Sequence, residues 1–155
     1  MNILSLELIP SPYGLWDWRV AIRIDGESLI CRVLRVEADY LRSIDAEITE
    51  SRYSWVRARL YLLPYRAWLG APELPWFPGF SEVVVCSCGE AMCRAISVKI
   101  EVWPNRIAWM AWRQFPTAQS SVSNEFRPLL FDRQQYESEL TRVSEEYQRH
   151  VNDGE

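Results

Sequence analysis

The sequence predicts an α+β fold: a mostly antiparallel sheet with a C-terminal helix packed on one face and one or two short helices. Three observations carry that expectation. Trp16, Trp18, Val20, Ile22 and Ile24 alternate with Asp17, Arg19, Ala21, Arg23 and Asp25, the period of a strand with one buried face. Ile96, Val98, Ile100 and Val102 alternate in the same way with Ser97, Lys99 and Glu101. Near the C-terminus, Tyr136, Leu140, Val143 and Tyr147 recur at helical spacing and lay one apolar stripe. With 155 residues, the chain reads as a single domain, 1–155, able to bury about 68–70% of its unfolded surface without needing disulfides or metal.

Taken in order, residues 1–80 hold the N-terminal strands and a Pro-rich connection. Residues 2–9 read as a first strand, with Leu4, Leu6 and Leu8 on one face. The alternating strand that starts at Trp16 ends at Asp25-Gly26, a tight-turn signal. After it the pattern is double. Leu29, Cys31 and Val33 suit a returning strand, whereas Ile30, Val33, Leu34 and Leu41 suit a helix face that Ser28 could cap. The reading favours a short helix, followed by a loop or polar element over 37–50.

Residues 51–63 read as a strand with Val56, Ala58, Leu60 and Leu62 on one face. Residues 64–69 suit one helical turn, with Pro64 near its start and Gly70 ending it. Pro72, Pro75 and Pro78 make the segment after it an irregular connection.

Residues 81–116 form the centre of the chain, a cysteine turn followed by a hairpin. Trp103-Pro104-Asn105-Arg106 turns the strand at 96–102 back into one at 107–113. Proline cannot take the positive φ of a tight primed turn, so a looser loop is expected. The Ser-rich stretch 117–125 reads as a mobile loop. The last element is the helix of 131–150. Asp132 is placed as its N-cap and Gln135 at N3 as the other half of a capping box, while Phe131 staples onto Tyr136.

Charge narrows the function classes. Residues 132–155 carry seven acids against three arginines, which is the whole of the net charge of −4. An acidic end disfavours nucleic acid, which wants a basic face. No stretch approaches the ~20 apolar residues of a membrane span, and the N-terminus lacks the basic start and apolar run of a signal peptide. The expectation is a cytoplasmic protein with no nucleic-acid or membrane partner and reduced cysteines.

Cys86, Cys88 and Cys93, with Gly89 between them, are the one constellation that looks like a site. Zinc favours four ligands with two to four residues between paired cysteines. Here the gaps are one and four residues, and Cys31 and His150 are distant in sequence. Small thiols at a glycine turn fit the same pattern. C-x-C is not the C-x-x-C of redox sites, and a cysteine nucleophile lacks a nearby base. Neither a phosphate-binding glycine loop nor a metalloprotease or nucleophile-elbow motif is present. No catalytic, metal or cofactor residue is therefore assigned, and the protein reads as a non-enzyme. The residues expected to meet a partner are Glu137, Glu139, Glu145 and Glu146, on a wet acidic helix face, with Trp103 and Trp112 as an aromatic platform. Trp109 is expected in the core.

The segment 85–136 resembles a widespread group of small bacterial proteins of uncharacterised function. The match rests on Cys86-Ser87-Cys88-Gly89 with Cys93, on Ile107-Ala108-Trp109 with Arg113-Gln114-Phe115, and on Phe131-Asp132-Arg133-Gln134-Gln135-Tyr136-Glu137. Residues 22–30 also look like that group's N-terminal segment. The group follows its Gln with Pro-His where this chain has Phe115-Pro116-Thr117, and Met92 stands where the group has Gly. The resemblance implies no enzymatic activity. Proteins of this kind look similar to immunity proteins encoded beside secreted bacterial toxins. That likeness implies a binding protein that occludes the active site of a cognate, basic toxin. The alternative from the cysteine turn is a small structural or regulatory domain stabilised by zinc.

Overall fold

The computed structural model describes residues 1–10, 17–43, 53–72, 78–86, 95–115 and 126–154, with the side chains of 39–43 and 115 excepted. Among the described residues, eight strands form one antiparallel sheet: β1 (Leu4–Ile9), β2 (Arg19–Ile24), β3 (Glu27–Ser28), β4 (Tyr53–Arg57), β5 (Ser81–Cys86), β6 (Ala95–Val102), β7 (Arg106–Phe115) and β8 (Leu129–Asp132). Their spatial order is β1-β2-β4-β5-β6-β7-β8, with β3 paired to the end of β2. Among the described residues the helices are α1 (Leu29–Ser43), α2 (Ala58–Tyr61) and the long C-terminal α3 (Arg133–Asn152), with a 3-10 turn at Arg66–Leu69. Among the described residues no helix is long and apolar enough to cross a membrane. The α+β architecture is the one the hydrophobic periods predict.

The alternating stretches became strands, although the one expected from Trp16 begins only at Arg19: Asp17 and Trp18 precede it, and residue 16 lies outside the described residues. Leu4, Leu6 and Leu8 of β1 and Val20, Ile22 and Ile24 of β2 are all buried, and they pair in register, Leu4 with Ile24 through Leu8 with Val20. Asp25 and Gly26 both take positive φ, 54° and 83°, as a two-residue primed turn requires. The Asp25 carboxylate accepts from the Asn2 side chain and the Ile3 amide, which holds its pKa below the ordinary value. Between β6 and β7 the three residues 103–105 make the looser loop, closed by Trp103 N–H donating to Arg106 O at 2.8 Å.

Four elements depart from expectation. The helix that starts after Ser28 continues to Ser43, because Leu29, Val33 and Glu37 share one buried face at a spacing of four. The polar stretch expected from residue 37 is thus helical as far as 43; its remainder lies outside the described residues. The strand expected over 51–63 stops at Arg57. There the Ala58 amide donates to Trp18 O, and Ala58 and Leu62, four apart, are both buried while Leu60 stands exposed. β5 and β8 are strands that periodicity did not mark. The mobile loop expected at 117–125 lies outside the described residues. The turn before Gly70 formed as expected: Gly70 sits at φ 81°, and a Cβ there would lie 2.4 Å from Ile100 O.

How α3 meets the sheet decides the shape of the molecule. Asn2 bridges to Phe131, so the first and last strands approach at one end, with Asn2 N–H donating to Leu130 O at 2.7 Å. Beyond that bridge, α3 takes over the free edge of β1. Gln135 Oε1 accepts from the Leu4 amide at 3.2 Å and its Nε2 donates to Leu4 O at 2.8 Å. One helical turn on, Glu139 accepts from the Leu6 amide at 3.2 Å and Arg142 donates to Leu6 O at 2.6 Å. The fit is metric: four helical residues advance about 6 Å, close to the ~6.6 Å between alternate residues of a strand. Side chains of α3 therefore stand in for a neighbouring strand on an edge that would otherwise invite pairing with another chain. This corrects the capping box. Asp132 does cap the helix, accepting from Gln135 N–H at 3.0 Å, but the Gln135 side chain turns to β1 instead of back to the cap.

Tyr136, Leu140, Val143 and Tyr147 are buried along α3, as their spacing predicted. Phe131 staples onto Tyr136 with ring centroids 5.2 Å apart. The Tyr136 hydroxyl accepts from Trp109 Nε1 at 3.1 Å and donates to Trp68 O at 2.7 Å, tying helix, sheet and 3-10 turn together. Its burial pushes the phenol pKa well above the ordinary value.

Candidate functional site

Of the cysteine turn, Cys86 is buried at the end of β5 opposite Tyr53. Cys88, Gly89 and Cys93 lie outside the described residues, and Cys31 is exposed on α1. Among the described residues, no group of three His, Cys, Asp or Glu comes together. His150 lies on the last turns of α3, its ring 4.4 Å from that of Trp18.

Beside Cys86 is a polar cluster that periodicity missed. Glu37, only 4% exposed, accepts from the Tyr53 hydroxyl and from Gln114 Nε2 at 2.5 Å, and Gln114 Nε2 also approaches the Tyr53 hydroxyl at 2.9 Å. The three residues come from α1, β4 and β7. A buried carboxylate held by two donors is a strong cross-link between elements, and this one pins α1 across the sheet. The signal available in the sequence was its place on the stripe of Leu29 and Val33. Glu82 of β5 is a perturbed acid: burial raises its pKa to about 7. It lies opposite Ser97, which is itself buried.

The acids expected to form one wet face of α3 are divided by their partners. Glu139 and Glu146 both pair with Arg142, at 2.5 and 3.4 Å, and Glu139 also holds β1. Glu137 pairs with Arg133 at 3.0 Å. Glu145 is exposed and, among the described residues, takes part in no ion pair. Trp112 is 3% exposed and belongs to the core, so the aromatic platform does not form. The cause is a bulge in the β6–β7 pairing, where Lys99 faces Ala111 but Ile100 faces Trp109. Three residues apart on a regular strand, Trp109 and Trp112 would face opposite sides. The extra residue, Met110, lets both point inward and meet edge to face at 5.7 Å.

Trp103 does keep solvent exposure, and the structure brings it to Glu137. Arg133 Nη1 donates to Trp103 O at 3.0 Å while its Nε donates to Glu137. The Arg106 guanidinium stacks over the Trp103 ring at 4.4 Å. The Arg133 amide donates to Asn105 O, which fixes the hairpin tip on the start of α3. The result is a half-exposed tryptophan framed by two arginines and a glutamate on a rigid seat.

At the other end of α3 a groove of about 320 Å³ opens against the segment after α2. Leu62, Leu63, Leu69 and Arg66 line one wall, and Ser144 and Glu145 the other; the exposed surface within it is apolar. Comparison of the chain with family models, with curated proteins and with solved structures returned no match.

Proposed function

We propose that this protein is a non-enzymatic, cytoplasmic binding protein of the immunity type, which neutralises a cognate bacterial toxin by occluding its active site. The observation that carries the reading is the cluster of Trp103, Arg106, Arg133 and Glu137. Interface hot spots are enriched in Trp, Tyr and Arg held in well-packed surroundings. Here the aromatic and the two guanidinium groups are already ordered by hydrogen bonds and stacking, so little rotamer freedom is lost on docking. Glu137 adds acid for a basic partner, which steers encounter more than it holds the complex. Other polar groups of α3 have structural duties: Gln135, Glu139 and Arg142 satisfy β1.

The test is calorimetric titration with the product of the adjacent toxin gene. Trp103→Ala should weaken the complex by about 2 kcal/mol or more, the scale of a hot-spot residue. Binding that is indifferent to both Trp103→Ala and Arg106→Ala would move the interface elsewhere; no binding by the parent protein would end the immunity reading.

A further inference from the structure

We propose that the groove between α3 and residues 62–69 seats a second copy of the chain, making a twofold dimer. Its surface is apolar, so its occupant presents hydrocarbon. Leu63, one of the large apolar side chains open to solvent at 40% exposure, is on its wall. Val151, 38% exposed, follows Ser144 by seven residues and Gln148 by three, hence on the same side of α3. Hydrocarbon gathered in one place on a surface marks an interaction site.

Charge selects the occupant. Arg66 stands on one wall and Glu145 on the other, and neither takes part in an ion pair among the described residues. A twofold contact is isologous: when a residue meets its counterpart in one direction, the reverse contact follows by symmetry. A second copy turned about such an axis presents its Glu145 to Arg66 and its Arg66 to Glu145. Both free charges are matched twice, and the contact closes instead of growing into a filament. Glu137 lies eight residues before Glu145, about 12 Å along the helix, which leaves the Trp103 cluster open in the dimer.

Sedimentation velocity over about 1–100 µM, the range of weak homodimers, reads the assembly. The parent protein should pass from monomer to dimer. Arg66→Glu and Glu145→Arg each set like charges together twice and should weaken association by at least about tenfold. Both sites are on the surface, and circular dichroism checks that the variants are folded. An equimolar mixture of the two variants restores both opposite-charge contacts, so it should associate as the parent does. A parent that stays monomeric, association untouched by either reversal, or folded variants that fail to associate on mixing would each overturn the proposal. An apolar segment of another protein as the groove's occupant belongs to the first of these outcomes.

Discussion

Replacing Gln135 by alanine tests whether α3 substitutes for a strand. The substitution removes the acceptor 3.2 Å from the Leu4 amide and the donor 2.8 Å from Leu4 O, and leaves the Asp132 cap untouched, since that bond uses the Gln135 backbone. A typical intramolecular hydrogen bond contributes about 0.5–1.5 kcal/mol net, with a further penalty when a buried partner is stranded. The Leu4 backbone is part-buried, so water recovers some of the loss, and the expected destabilisation is about 1–2 kcal/mol. In a domain of this size that lowers Tm by about 2–8 °C. Gln134, exposed one position earlier, is the control; its alanine variant should stay within about 0.5 kcal/mol of the parent. Urea unfolding gives the free energies, and amide hydrogen exchange gives the location. The Leu4 amide should lose protection selectively in Gln135→Ala, while Ile22 in the β2 ladder keeps its own. Equal stability in the two variants, or unchanged exchange at Leu4, would refute the strand-mimic reasoning.

Three further outcomes follow from the same structure. Glu82 has its pKa raised by burial to about 7 from an ordinary 4.5, so between those values the folded protein holds a proton the unfolded chain has released. Stability therefore falls as pH rises through that window, and Glu82→Gln should be about 1–2 kcal/mol more stable than the parent at pH 8, an allowance reduced for partial exposure. Thermal melts should show the difference vanish near pH 4.5. Tyr136→Phe leaves the buried Trp109 Nε1 and Trp68 O without the hydroxyl they share. Its cost, read from urea unfolding, should be about 2–4 kcal/mol. Metal analysis of the purified protein separates the binding reading from the zinc alternative. Substoichiometric zinc, unchanged by Cys86→Ser, is expected; near-stoichiometric zinc lost together with the fold would favour a metal-stabilised domain.

The alternation of β1, β2 and β6, the turn that returns the chain into β7 and the apolar stripe of α3 were legible in the sequence. What escaped did so for local reasons. In β5 the pairing shifts between Glu82 and Val84, so Val83 and Val84 are both buried and alternation fails. β8 has four residues and runs straight into the helix, with Asp132 serving as its last residue and as the N-cap. Glu37 opened the stretch read as a loop or polar element because a carboxylate at a core position is rare, and only its distant partners Tyr53 and Gln114 make it tenable. The Trp112 error has the same character: one inserted residue at Met110 changes which side of the sheet it occupies. The candidate site was half legible. Trp103 and Glu137 were singled out from residue type and charge, but Arg133 and Arg106, which join them, were visible only once the hairpin tip lay against the helix start.

The central claim is that this chain acts by covering another protein's working surface. Its most direct test is to titrate the purified protein into an activity assay of the toxin that the proposal requires to be encoded beside it. Inhibition should be complete at one equivalent and weaken sharply with Trp103→Ala. Full toxin activity at excess protein, or inhibition equally strong with that variant, would contradict the account.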